Sequence, residues 1–193
     1  MRPDLSILSR QPPRSYQPGK LLNRVAREFK QFQCYSRAPY QAQFVAPGDH
    51  LTFEASERVE KSFLTYTVVT DFVYQIGGSP PGQAEIHLAH TGNLRRTGIS
   101  GRVKSGGEAA RAVLDRLAAD QPFIQAILPL DFQRFYLIQD EQGWRVNTMQ
   151  MGASWVSLTF PPVRRYIPLG QDQVEALLAT FNRLHRLLSE QTL

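Results

Sequence analysis

Along the chain, hydrophobic and polar positions switch between a helical and a strand-like period. Residues 20–33 (KLLNRVAREFKQFQ) set Leu21, Leu22, Val25, Phe29 and Phe32 on one stripe at 100° per residue, with Lys20, Arg24, Arg27 and Lys30 on the other. This spacing predicts an amphipathic helix with a basic face. Beyond Pro39 the pattern turns to strands. Residues 40–46 and 51–57 flank the turn signal Pro47-Gly48-Asp49, and residues 62–76 (SFLTYTVVTDFVYQI) are rich in β-favouring Thr, Val, Tyr and Phe. A turn at 77–82 (GGSPPG) precedes a strand at 84–90, and Thr91-Gly92-Asn93 turns into 94–100. The segment GRVKSGG then reads as a loop leading into a helix over 108–120, with Ser105 and Glu108 at capping-box spacing and Pro122 as its stop.

The second half follows the same order. Strands are expected over 132–140 and 144–151 around the turn Glu141-Gln142-Gly143, then over 153–160 and 163–167, before a closing amphipathic helix over 173–191 opened by Asp172 and Glu175. At an offset of 67, Glu108, Ala109, Ala112, Arg116 and Leu117 match Glu175, Ala176, Ala179, Arg183 and Leu184 as identities. Leu94-Arg95-Arg96 matches Val163-Arg164-Arg165 at an offset of 69. These matches predict an α+β fold made by tandem duplication of a strands-then-helix unit, about 40–121 and 122–193, behind an arm over 1–39. One such unit buries one sheet face well, and two can join edges and share a core. The expected product is a curved, mainly antiparallel sheet with both C-terminal helices packed on one face. The other face is left open or covered by the N-terminal helix. An approximate dyad would bring Arg95 and Arg96 to places equivalent to Arg164 and Arg165.

Composition is that of a globular chain: 193 residues, 42% hydrophobic and 20% charged. No apolar run is long enough to span a bilayer, and the first twenty residues lack the apolar core of a secretory signal, so a cytoplasmic location is expected. The net charge of +5 is uneven. Residues 1–40 hold eight Lys/Arg and two acids, whereas residues 41–193 hold fourteen Lys/Arg and fifteen acids. A basic arm on a near-neutral body points to an anionic partner for the arm, and the sequence leaves a homo-oligomer open.

Candidate chemistry is sparse. The lone Cys34 excludes an internal disulfide and a cysteine-rich metal site. His87 and His90, three apart on a strand, face opposite sides and cannot share a metal; neither a metal nor a cofactor is expected. Glycines 106 and 107 with Arg102 and Lys104 sit at a predicted helix N-terminus and make a weak anion-binding candidate, although Val103 stands where a phosphate loop requires glycine. Trp144, Trp155, Tyr136, Phe135, Tyr166, Phe72 and Tyr74 are candidates for core or for pocket lining.

The arm followed by Phe44–Tyr74 and the closing Arg164-Arg165…Glu175-Ala176-Leu177-Leu178 segment resembles an uncharacterised bacterial family of unknown function and similar length. That resemblance covers most of the chain and implies no catalytic residues. The twofold strands-plus-helix organisation is also similar in architecture to the TATA-binding-protein-like folds, which does not fix a function. Three functions remain open from the sequence. The first is a non-catalytic module binding through a sheet face or the cleft between units. The second is an enzyme built around Asp49/His50 or around Glu85 with His87. The third is a nucleic-acid or anionic-surface binder using the arm.

Overall fold

Ten strands, the central ones alternating between buried and more exposed positions, form one sheet in the computed structural model, which describes residues 16–48, 50–61, 65–92, 97–158 and 163–189. In chain order the elements are α1 (Lys20–Glu28), β1 (Gln33–Ala38), β2 (Gln41–Val45), β3 (Thr52–Lys61), β4 (Thr65–Gln75), β5 (Ala84–Thr91), β6 (Gly98–Ser105), α2 (Gly107–Ala119) and α3 (Gln121–Ile127). They continue as β7 (Phe132–Asp140), β8 (Gly143–Gln150), β9 (Ser154–Leu158), β10 (Val163–Ile167) and α4 (Gln171–Ser189). All pairings are antiparallel, in the order β1-β2-β3-β4-β8-β7-β5-β6. The N-terminal half of β4 pairs instead with β9, and β10 pairs with β9.

One core holds the molecule together. Phe44, Phe53, Phe72, Tyr74, Val146, Leu137, Phe135, Ile86 and Leu88 face the helices from successive strands, and Leu22, Val25, Phe29, Leu114, Leu117, Phe181 and Leu184 answer from α1, α2 and α4. Phe44 and Phe53 stack at 5.1 Å, Phe29 packs against both, and Phe181 closes on Phe53 and Tyr74. Burial pushes the Tyr74 hydroxyl up to about 12. The helices therefore share one face, and α1 joins them there rather than covering the opposite side.

The helix-free face carries an in-register line of Tyr35, Gln43, Glu54, Val73, Asn147, Tyr136, His87 and Arg102 across eight strands. It also carries an ion-pair network. Arg58 holds Asp71 through two nitrogens, and Glu60 accepts from both Arg58 and Arg134. The hydrogen bonds it donates to Asp71, and then to Glu60, keep the Arg58 guanidinium above its ordinary range. Arg134 on β7 reaches Glu60 on β3 at 2.8 Å. On a flat sheet these residues would stand roughly 19 Å apart, three strand spacings across and four residues along. Their contact requires the sheet to bend towards its helix-free side, a direction that the sequence did not give.

Several boundaries depart from the sequence reading. The helix expected over 20–33 ends at Glu28, and Gln33–Ala38 becomes a strand on β2. Pro122 does not merely stop α2. It lies in the first turn of α3, whose third residue donates its amide, Phe123 N, to the capping Asp120 at 2.7 Å. The stretch read as a loop, GRVK, is the second half of β6. Gly101 belongs in that strand because a Cβ there would sit 2.1 Å from Leu114 Cδ1. The cap of α2 is Gly106 in the left-handed region, with no side-chain cap from Ser105, and Asp172 lies inside the first turn of α4. The pairing also departs from a simple dyad: β5 lies on β7, whereas β9 lies on β4.

Between β8 and β9 the register on β4 slips by three residues, from Asp71↔Met149 to Val68↔Trp155. The extra segment holds Ala153 at φ 51, and Thr70 Oγ1 donates to its carbonyl at 2.7 Å.

Candidate functional site

Two carboxylates fix α1 on the body. Glu57 follows Phe53 and Ala55 on the inward side of β3 and is buried beneath the start of the helix. Its oxygens accept from Tyr16 Oη (2.7 Å), Gly19 N (3.1 Å) and Leu22 N (2.9 Å). The cap residue is Gly19, at φ 81 beneath the Pro39 carbonyl, and it has no side chain to offer. Glu57 supplies from across the sheet the negative charge that a helix N-terminus favours. At the other end, Glu28 accepts from Leu169 N (2.7 Å), Gly170 N (3.3 Å) and the Tyr166 hydroxyl. Burial, and then the bond to a carboxylate, pushes both the Tyr16 and the Tyr166 hydroxyls up.

Held in this way, the basic side of α1 overlies the corner made by β4, β9 and β10. Lys20 Nζ lies 5.5 Å from the Trp155 ring centre, and the Arg24 guanidinium lies 5.1 Å from Trp155 and 5.2 Å from Tyr166. Tyr16, Lys20, Leu21, Tyr66, Trp155 and Arg164 line a shallow pocket of about 40 Å³ at this corner. Between two of these residues, Ser157 pairs in register with Tyr66 and Arg164, and its buried hydroxyl has no hydrogen-bond partner. Among the described residues, no carboxylate forms an ion pair with Lys20, Arg24 or Arg164. At the end of the β9–β10 hairpin, Leu158 and Val163 pair with each other and are exposed.

The other candidates from the sequence are dispersed. Arg27 and Lys30 are exposed on α1 and its exit, with Lys30 on a separate cavity beside Gln171. Arg165 alternates to the other side of β10 from Arg164, and Arg95 and Arg96 lie outside the described residues. Arg102 and Lys104 stand on β6, Arg102 opposite His87 on the helix-free face, so they do not converge on Gly106 and Gly107 beneath α2. His90 faces away from His87, bonds the Leu130 carbonyl and stacks on Phe132. No group of three metal-ligating side chains occurs among the described residues. His87 touches Glu85 through Nε2 and stacks on Tyr136 at 4.0 Å, so that pair does converge, away from the α1 corner. Asp49 lies outside the described residues, and His50 bonds the Pro47 carbonyl. Partial burial pushes the Cys34 thiol up, the opposite of what a nucleophile needs.

Sequence reasoning gave Trp155, Tyr166, Lys20, Arg24 and Arg164 as separate features and missed the carboxylates that assemble them. The signal for Glu57 was present: an acid at the next inward position after Phe53 and Ala55 needs a partner.

Among the described residues, no helix is long and apolar enough to cross a membrane. No curated protein and no solved structure matches the chain. Residues 27–188 match a family model described as "Protein of unknown function (DUF3156)". With that match running from the last two residues of α1 through nearly all of α4, the chain belongs to the DUF3156 family of proteins of unknown function.

Proposed function

We propose that the chain is a non-catalytic binding module that docks on an anionic lipid surface through the α1–β9–β10 corner. One observation carries this reading: Lys20 and Arg24 are stacked on Trp155, with Arg164 on the same rim, and none of the three is ion-paired among the described residues. The pocket, at about 40 Å³, is too shallow to enclose a metabolite and suits a headgroup presented from a surface. Tryptophan and tyrosine are favoured at the lipid–water boundary, which suits Trp155 and Tyr166 at this corner. This favours the anionic-surface function over the sheet face, where Arg58, Asp71, Glu60 and Arg134 already satisfy one another.

Each cation near an anionic surface contributes about 1 kcal/mol, so neutralising three weakens binding about a hundredfold. The test is co-sedimentation with phosphatidylserine-containing and pure phosphatidylcholine vesicles at low and high salt, with a mixed-sequence oligonucleotide in parallel. Binding to the anionic vesicles alone, weakened by salt and lost in the triple variant K20Q/R24Q/R164Q, is expected. Binding to the oligonucleotide and not to vesicles, or vesicle binding that the triple variant retains, overturns the proposal.

A further inference from the structure

On the far side of the core from α1, we infer that the cavity between α2 and the β7–β8 hairpin is a binding site for a small carboxylate with a short apolar tail. The cavity measures about 380 Å³, the size of a small-molecule site, and is lined by Ala109, Ala112, Val113 and Arg116 of α2 with Gln139 and Trp144 of the sheet. Three buried donor atoms on this lining have no hydrogen-bond partner: Nε and Nη2 of Arg116 and Nε1 of Trp144, a residue only 1% exposed. A buried donor left unmade is destabilising, so a structure that keeps three around one space is poised for an acceptor. Guanidinium and indole nitrogens only donate. The remaining polar lining group, Gln139, already gives its Nε2 to the Pro80 carbonyl.

The donors specify the ligand. Nε and Nη2 form one edge of the guanidinium, spaced for the two oxygens of a carboxylate. The protein uses this geometry elsewhere: Arg183 on α4 places its Nε and Nη2 on the two oxygens of Asp120. Arg116 presents the same edge, and no carboxylate among the described residues pairs with it. A ligand carboxylate completes that pair and has a lone pair left for the indole N–H. The walls of Ala109, Ala112 and Val113 then accept carbon, not further charge, which disfavours a free phosphate dianion.

The site stands independently of the lipid-facing corner, and its test separates the two. Calorimetric titration of the full chain with butanoate, hexanoate, hexan-1-ol and inorganic phosphate should show saturable hexanoate binding. Butanoate should bind more weakly, and the alcohol and phosphate at least about tenfold more weakly than hexanoate. R116K should lose about tenfold, because an ammonium cannot chelate along an edge. R116M should abolish binding while melting at the same temperature as wild type or higher, since it removes unpartnered buried donors. K20Q/R24Q/R164Q should bind hexanoate as wild type does. The inference is overturned if wild type shows no saturable hexanoate binding, if hexanol binds as well as hexanoate, or if R116M retains carboxylate binding.

Discussion

Replacing Glu57 with alanine tests how the basic helix is held. The substitution removes one acceptor from three donors, Tyr16 Oη, Gly19 N and Leu22 N, at a position 8% exposed. A hydrogen bond to a charged group contributes about 1.5–3 kcal/mol net, but the two freed amides at the helix start can take up water, as in a lost N-cap worth about 0.5–2 kcal/mol. The cost should be roughly 2–4 kcal/mol in all. For a chain of this length each kcal/mol moves the melting temperature by about 2–4 °C, so Glu57→Ala should melt roughly 5–15 °C lower. Hydrogen exchange provides the local readout: amides of α1, including Asn23 N on the Gly19 carbonyl, should exchange faster while those of β7 and β8 keep their order. Glu54→Ala, three residues back on the helix-free side, is the control and should cost under about 1 kcal/mol. A Glu57→Ala protein melting within a degree of wild type, with unchanged exchange in α1, would refute the argument that this carboxylate anchors the helix.

Other outcomes follow from individual contacts. Gly101→Ala forces a Cβ into Leu114 and should destabilise by about 1–3 kcal/mol in a denaturant titration. Phe181→Ala empties a fully buried site against Phe53 and Tyr74 and should cost about 3–5 kcal/mol by the same measurement. The Arg183 guanidinium holds the Asp120 carboxyl below its ordinary range, so its stabilisation is present above the ordinary carboxylate pKa and is lost as pH falls through the lowered one. The melting gap between wild type and Asp120→Asn should accordingly be widest near neutrality and narrow below about pH 4. Glu28→Gln leaves Leu169 N, Gly170 N and the Tyr166 hydroxyl a weaker acceptor, and should loosen the β10–α4 corner, seen as faster exchange at Leu169 and Gly170.

Much of the fold was legible because burial imposes its own period. The stripe of Leu177, Phe181, Leu184 and Leu188 gave α4 to within two residues at either end, and the turn at residues 141–143 gave the β7–β8 hairpin. What failed were places where a distant residue decides. Gly101 looked like a loop glycine, yet it is a strand residue making room for Leu114. Asp120-Gln-Pro looked like a terminus, yet Asp120 closes one helix, caps the next and holds Arg183. The repeat of helix identities did not foresee that β5 and β9 would choose different neighbours. For the sites, the basic and aromatic residues were visible singly, but their meeting depends on Glu57 and Glu28, whose partners lie 35 or more residues away. Arg116 did carry a local signal, a cation seven residues after Ala109 on the stripe shared with Ala112 and Val113.

The register slip at Met151–Ala153 has a consequence for which length changes the chain can tolerate. Even-numbered residues of β8, such as Trp144 and Val146, look towards the helices, and odd-numbered residues of β9, such as Trp155 and Ser157, do so. An odd count of inserted residues is what exchanges the parity. Deleting one residue there would turn Trp155 outwards and leave Val156 under Arg24, erasing the corner without touching a single residue that lines it. Deleting two would preserve the parity but bring Ser157, not Trp155, under Arg24.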